Sequence, residues 1–449
     1  MTMTLAIEMP VAAKPVCKTV RPPGSKSITN RALVCAALAK GQSRLSGVLD
    51  SQDTRAMVQG LRQLGFILES DWAHSFIDIT GSSGTIPVRN ATIHCEASGT
   101  TMRFLSAMCA LGQGEFTLDG THRMRQRPIG DLAAALESLG VQVTVSELQC
   151  PPITIRAIRS PHAEKLFGGS CSVQSSVSSQ FASGLAMIGP CTSHGLTIVF
   201  EGQRVSVPYL DMTRRVMESF GASVQCEEPT KWSIAATGYQ GISYAIEPDA
   251  SAASYFFAAA AITGGSVEVR GLSRVSMQGD VGFCDALEKM GVVVEWLPDA
   301  IRVSGPPRNG IDIDMNSISD TVPTLAVVAM FAPGPTTIRN VAHIRFKETD
   351  RISDLVRELQ KLGVNVTETL DSIHIQPQTY RGTLLETYDD HRMAMSLSLA
   401  GLRIPGVHIK DPLCVCKTFP GYWTAISNLA DLDTSAWPPS IMPNALISD

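Results

Sequence analysis

The chain has 449 residues, 44% of them hydrophobic and 6% aromatic, with a formal net charge of −5. That balance excludes the basic, stacking-rich surface that holds nucleic acid, and no apolar run approaches the roughly 20 residues a bilayer span needs. Eleven scattered cysteines and nine histidines without metal-ligand spacing, behind an N-terminus that reads as neither signal nor transit peptide, predict a cytoplasmic protein with reduced, mostly buried thiols and no metal.

In chain order the predicted elements repeat. The segment from Ala91 to Glu147 shows one copy in full. ATIHCEA is a strand, SGTTMRFLSAMCAL a helix stopped at Gly112 and Gly114, and EFTLDG a second strand. RPIGDLAAALESLG is a second helix with Pro128 in its first turn, VQVTVSE a third strand, and QCPPITIRA its hairpin partner. The order βαβαββ then recurs. Polar clusters mark the starts of the first helices: PGSKSITNR, EASGTTMR, SVSSQ, EPDASAAS, SISD and YDDHR. Their register residues Ser27, Gly99, Ser178, Ser251, Asp320 and His391 are spaced by 72, 79, 73, 69 and 71 residues. A second series of turns ends at Gly65, Gly140, Gly221, Gly291 and Gly363. A fixed period of this kind signals one supersecondary unit used six times.

The first helix of each copy is apolar nearly all round (SYFFAAAAI, TLAVVAMFA) and is expected in the core, whereas the second is amphipathic (VRELQKLG) and is expected outside. The sixth copy lacks its last two strands. The residues before Pro23 (TLAIEM, VCKTV) have no copy of their own. We therefore expect two domains of three repeats, residues 1–20 with 245–449 and residues 21–244, joined by a hinge near 20–23 and 243–246. Ligands are expected in the cleft between them.

Helix N-termini carry unpaired N–H groups and the positive end of the dipole, and so attract anions. Ser25, Lys26, Ser27 and Arg31 fall within about two turns of one such start. The spacing is not that of a Walker A loop. SGTTMR adds Gly99, Thr100 and Arg103; RMRQRP adds Arg127, expected at the dipole end of the helix that Pro128 opens. Taken alone, Ser178, Ser179 and Gln180 read as a capping box and Asp320 as an N-cap, and only their companions make them ligand candidates. Ser206, Tyr209, Lys347, Glu348, Arg351, His391, Arg392 and Lys417 complete the set, with Thr349 or Asp350 as the cap of their helix. Cations concentrated in a protein of net negative charge imply a ligand set with several negative charges, and Asp320 with Glu348 makes proton transfer available.

The motifs PGSKSITNRAL, SGTTMR, RMRQRPI, SVSSQF, SVPYLD, EPDASAASYF, MQGD, KETDR, DHRMAM and KTFPGYW, in order from about Pro22 to Trp423, resemble the 5-enolpyruvylshikimate-3-phosphate synthase family. The resemblance implies an α/β fold of two domains, each of three βαβαββ repeats about a pseudo-threefold axis, with the active site between them. It implies transfer of the carboxyvinyl group of phosphoenolpyruvate to the 5-hydroxyl of shikimate 3-phosphate, with no metal or organic cofactor, and a monomer. Ser178, Ser179, Ser206 and Tyr209 would hold the phosphate and ring of shikimate 3-phosphate, contacted also by Ser27, Arg31, Gln180, Asp320 and Lys347. Gly99, Arg127, Gln180, Arg351, Arg392 and Lys417 would bind phosphoenolpyruvate, and Lys26 both substrates. Asp320 would be the base at the 5-hydroxyl, and Glu348 or Lys26 the acid at the methylene carbon. Ala97, Phe104 and His343 depart from the family's usual Asn, Pro or Leu, and Asn. The first two flank the phosphoenolpyruvate pocket, so partial tolerance of glyphosate, the family's inhibitor at that pocket, is expected. Two rivals share the scaffold. The UDP-N-acetylglucosamine enolpyruvyl transferases differ by an Asn after the first Lys and a loop Cys; a non-catalytic anion binder would need neither Asp320 nor Glu348.

Overall fold

The computed structural model describes residues 5–158, 165–174, 178–227 and 229–442; Ser176 and Val177 of the SVSSQF cluster lie outside them. The chain divides into two compact units, Gly24–Ile246 and Met1–Pro23 with Glu247–Asp449.

Repeats in the Gly24–Ile246 unit each place one buried helix and one outer helix on a small sheet. The helices are α1 (Lys26–Leu38), α2 (Gln52–Gln63), α3 (Gly99–Cys109), α4 (Gly130–Ser138), α5 (Ser179–Ile188) and α6 (Val207–Ser219). The middle repeat has the sheet order Asn90–His94, Gly114–Asp119, Ile153–Ala157, Gln142–Thr144. Its first pair is parallel, as a βαβ crossover requires, and the rest antiparallel. The third repeat has the same order in Gly169–Gln174, Leu196–Glu201, Lys231–Ile234 and Val224–Glu227. The first repeat takes its first strand from the far end of the unit: Ser243–Ala245 lies parallel to Gln42–Ser46.

The other unit holds α7 (Ala250–Thr263), α8 (Phe283–Lys289), α9 (Val322–Met330), α10 (Ser353–Lys361), α11 (His391–Gly401) and α12 (Tyr422–Ala430). Here the N-terminal residues fill two vacancies. Cys17–Val20 is the first strand of the fourth repeat, parallel to Ser266–Arg270. Ala6–Glu8 runs antiparallel to His408–Lys410, in the place of the missing strands of the sixth. The fifth repeat is complete, with the sheet order Asp312–Asp314, Thr336–Arg339, Ile373–Gln376, Asn365–Glu368.

Sequence chemistry explains the layering. Helices α7, α9 and α11 are buried round almost their whole circumference, so their alanines and leucines meet apolar neighbours on every side. Five of the six outer helices, α2, α4, α6, α8 and α10, end in a leucine, methionine or phenylalanine and then a glycine. At Gly65, Gly140, Gly221, Gly291 and Gly363 φ is +88°, +84°, +90°, +82° and +90°, a left-handed conformation that closes the helix at little cost only without a Cβ. One outer helix departs from expectation. In α12, Tyr422 and Trp423 are buried, because the chain returns over it: the Trp423 and Trp437 rings pack edge to face at 5.7 Å, and Trp437 Nε1 donates to Glu8 O at 2.7 Å. Eight of the eleven thiols are buried; Cys17 and Cys226 are exposed and Cys416 is half-buried. No helix among the described residues is long and apolar enough to cross a membrane.

Candidate active site

The ligand-type groups form one cluster in each unit. In the Gly24–Ile246 unit, Ser25 caps α1 and Lys26 opens it, with Nζ 3.4 Å from Oδ2 of the buried Asp53. Arg31, further along α1, is 1% exposed. Its Nε donates to Thr213 Oγ1 at 2.7 Å and its Nη1 to Ser27 O at 2.9 Å. The guanidinium lies 5.1 Å from the Phe104 ring centre and 6.0 Å from that of Tyr209. Among the described residues no carboxylate pairs with it, and burial pushes its pKa down to about 10. A desolvated cation held only by neutral acceptors and ring faces gains most from an arriving anion.

Ser98 caps α3, and Asn30 Nδ2 donates to Thr100 Oγ1 at 2.7 Å, tying α1 to α3. A Cβ on Gly99 would stand 2.6 Å from Arg103 Nη1 and 2.8 Å from Arg127 Nη2. Two buried guanidiniums thus press on the start of α3, the positive end of its dipole, an arrangement unfavourable without an anion. Arg103 Nη1 also donates to Gln180 Oε1 at 2.9 Å and its Nη2 to Pro128 O at 3.1 Å. Ser178 caps α5, accepting from Gln180 N–H at 3.2 Å. Ser206 precedes α6 in a left-handed conformation, φ +54°, and its side chain makes no cap. A serine there is strained, and such strain collects at binding sites.

The second cluster is built on charge. Asp320 accepts from Lys347 Nζ at 3.0 Å and Arg351 Nη1 at 3.3 Å through Oδ1, and from Arg392 Nη2 at 2.8 Å through Oδ2. Arg351, 1% exposed, also donates to Asp390 from Nε at 2.7 Å and Nη2 at 3.1 Å, and to Glu348 Oε2 at 2.7 Å. Lys417 Nζ lies 3.5 Å from Glu348 Oε1. Four cations therefore face three carboxylates, an excess of one positive charge that favours a bound anion. Asp390 also caps α11, accepting from Arg392 N–H at 2.8 Å. His343 Nε2 is 2.9 Å from Ser319 Oγ; burial, then Lys347, push its pKa down to about 3, so it is a neutral ring at physiological pH. Asp280, hydrogen-bonded by Ser251, has its carboxyl pushed up to about 6 by burial and by the charge of Asp320.

Residues 11–426 match the family model of EPSP synthase (3-phosphoshikimate 1-carboxyvinyltransferase). The chain belongs to the EPSP synthase family. It is 45% identical over 421 residues to the 3-phosphoshikimate 1-carboxyvinyltransferase of Nostoc punctiforme, an alignment spanning 93% of this chain and 97% of that one. With the protein of the same name from Shewanella sp. MR-7 it shares 44% identity over 413 residues, 91% and 95% of the two chains. Its fold is similar to a solved EPSP synthase from Acinetobacter baumannii, with a TM-score of 0.79 and 26% identity over 95% and 98% of the chains. The two-domain fold of this family is the one expected from the repeats.

Local expectations fare unevenly. Lys26, Ser27 and Arg31 lie on one helix with Thr100 and Tyr209 nearby, Gly99 and Gln180 meet through Arg103, and Arg127 stands beside Gly99. Asp320, Lys347, Glu348, Arg351, Arg392 and Lys417 form one bonded cluster. Asp320 caps nothing: it sits in the 3-10 turn Asn316–Thr321, and Thr321 is the residue before α9. Arg127 faces the start of α3, not of α4, which begins only at Gly130 with Pro128 outside it. Ile352 rather than Thr349 or Asp350 precedes α10, although Asp350 Oδ1 still accepts from Ile352 N–H and Ser353 N–H, at 3.2 and 3.1 Å. The sequence expectations do not include Asp53, Asp280 or Asp390. Asp390 and Asp280 stand within the DHRMAM and MQGD motifs, which is the signal that could have found them.

Proposed function

We propose that this chain is a 3-phosphoshikimate 1-carboxyvinyltransferase, joining phosphoenolpyruvate to the 5-hydroxyl of shikimate 3-phosphate with release of phosphate. Family membership supports the reaction. The observation that carries the site assignment is Asp320 and Glu348 held by the same Arg351, with Lys347, Arg392 and Lys417 around them.

In this reading the Gly24–Ile246 cluster takes the acceptor. Ser178, Ser179, Ser206 and Tyr209 hold its phosphate and ring, with Ser27, Arg31, Gln180 and Lys347 also assigned to it. Gly99, Arg127, Gln180, Arg351, Arg392 and Lys417 take the phosphate and carboxylate of phosphoenolpyruvate, and Lys26 touches both substrates. Binding then places the acceptor oxygen against C2 of phosphoenolpyruvate, an intramolecular arrangement worth several orders of magnitude in rate. Asp320 takes the proton of the 5-hydroxyl, the oxygen bonds to C2, and C3 takes a proton, leaving a methyl group in a tetrahedral adduct. Loss of a proton from that methyl group with cleavage of the C2–O bond to phosphate regenerates the vinyl group. Glu348 is the acid and then the base at C3, with Lys26 its alternative. The surrounding cations stabilise the charge on the departing phosphate. The protein acts as a monomer in the cytoplasm.

The test is phosphate release from phosphoenolpyruvate with each acceptor in turn. Release with shikimate 3-phosphate and none with UDP-N-acetylglucosamine is expected; the reverse pattern, or binding without release, would defeat the proposal.

A further inference from the structure

Helix α10 carries a charged side chain that the reaction does not use. Glu358 is 0% exposed, an unusual place for a carboxylate on an outer helix. Lys361 Nζ donates to its two oxygens at 2.9 and 2.8 Å. The remaining bonds run to a different part of the chain: Tyr388 Oη donates to Oε1 at 2.5 Å, and Glu386 N–H donates to Oε2 at 3.0 Å. Arg357, on the same helix, donates to Tyr388 Oη at 3.1 Å.

The segment so held is strained. Tyr388 and Asp389 are consecutive non-glycine residues at φ +56° and +55°, where each backbone is costly unless its surroundings over-determine it. The next residue is Asp390, which orients Arg351 through two hydrogen bonds and caps α11 beneath Arg392. A second tie runs from the same helix to the other charged loop, since Thr349 Oγ1 donates to Asp354. One helix therefore fastens two of the three segments that present cations to the cluster, and Glu358 fastens the strained one.

Resting on the assignment of Arg351 and Arg392 to phosphoenolpyruvate, we propose that Glu358 and Tyr388 are positioning residues for phosphoenolpyruvate, locking the turn that sets Asp390 and so the directions of both guanidiniums. Neither touches substrate. Freed from Glu358, the turn relaxes toward ordinary backbone angles and Asp390 leaves its place between Arg351 and the helix start. Most residues assigned to shikimate 3-phosphate, among them Ser178, Ser179, Ser206 and Tyr209, are not bonded to this lock, so that substrate serves as the comparison.

The experiment compares Tyr388→Phe, Glu358→Gln, Glu358→Ala and Arg392→Gln in the full chain by steady-state phosphate release, varying each substrate in turn, with a melting temperature for each protein. Tyr388→Phe deletes one hydroxyl and is the variant least able to unfold the protein. It should raise KM for phosphoenolpyruvate about tenfold, the size expected on losing a hydrogen bond to a charged group, with KM for shikimate 3-phosphate changed less than about twofold. Glu358→Gln keeps an acceptor for Tyr388 and should retain most of the affinity that Glu358→Ala loses. A fall in melting temperature with both KM values unchanged in Tyr388→Phe and Glu358→Ala, while Arg392→Gln raises KM for phosphoenolpyruvate, overturns the positioning role alone. An unchanged KM in Arg392→Gln as well overturns the assignment of the site with it.

Discussion

Replacing Asp320 by Asn removes one negative charge from the point where Lys347, Arg351 and Arg392 converge at 3.0, 3.3 and 2.8 Å. At an effective dielectric of about 20 each such pair is attracted by roughly 4 kcal/mol, but desolvation of the same groups offsets most of that. The net loss on breaking a buried cluster is about 3–5 kcal/mol, which in a unit of this size lowers the melting temperature by on the order of 10 °C. The asparagine leaves more uncompensated positive charge, so an anion should restore part of the loss: phosphoenolpyruvate at about 100 times its Kd returns roughly 2.7 kcal/mol. Turnover should behave oppositely. Without a base for the 5-hydroxyl, kcat should fall by on the order of 10²- to 10⁴-fold, while KM for phosphoenolpyruvate stays level or falls. Steady-state phosphate release and thermal unfolding with and without phosphoenolpyruvate measure all of this. Near-normal kcat, or a rise in KM that accounts for the lost activity, would refute the reasoning.

Arg127→Ala should raise KM for phosphoenolpyruvate by about tenfold or more with a smaller change in kcat, because its guanidinium sits at the start of α3 rather than at reacting atoms; an unchanged KM in steady-state assays would place it outside the site. Phe104→Leu removes the ring beneath Arg31 and should raise KM for shikimate 3-phosphate a few-fold, whereas Phe104→Pro should make the enzyme more sensitive to glyphosate. Measured as inhibition constant over KM for phosphoenolpyruvate, a ratio well below one in the wild type that Pro leaves unchanged would show Phe104 to be silent. His343 takes its proton near pH 6.5 when unfolded but only near pH 3 when folded, so stability present above pH 6.5 is lost as pH falls toward 3, by up to about 1.4 kcal/mol per unit. His343→Asn should flatten that acid limb in denaturant titrations; an unchanged slope would show that the ring is not held neutral.

The repeats were legible because their signals are local. A glycine forced to φ near +88° after an outer helix, as at Gly65, and a polar cap before an apolar helix, as at Ser98, need no knowledge of the rest of the chain. The partners of distant segments left no such trace. Nothing in SYA at Ser243–Ala245 shows that it pairs with Gln42–Ser46, since a three-residue strand has no periodicity to read. Sequence proximity points Arg127 at the start of the helix that follows it, whereas side-chain length lets it reach the start of α3 in the same repeat. Among the charged residues, site and scaffold look alike in sequence: Glu358 in VRELQKLG resembles any solvated helix glutamate until the Tyr388 turn is folded against it. Asp320 is readable in sequence as a proton-transfer candidate, but not as the point where three cations meet.

The central claim, that an acceptor oxygen adds to C2 while C3 is protonated and that Asp320 and Glu348 handle those protons, is tested most directly by running the reaction in D2O and following the vinyl methylene by proton NMR. A methyl group formed in the adduct must exchange, so deuterium should appear at C3 of the product and of recovered phosphoenolpyruvate, only when shikimate 3-phosphate is present, and far more slowly in Glu348→Gln. Product formed without deuterium at C3, or exchange that proceeds equally well without the acceptor, would contradict it.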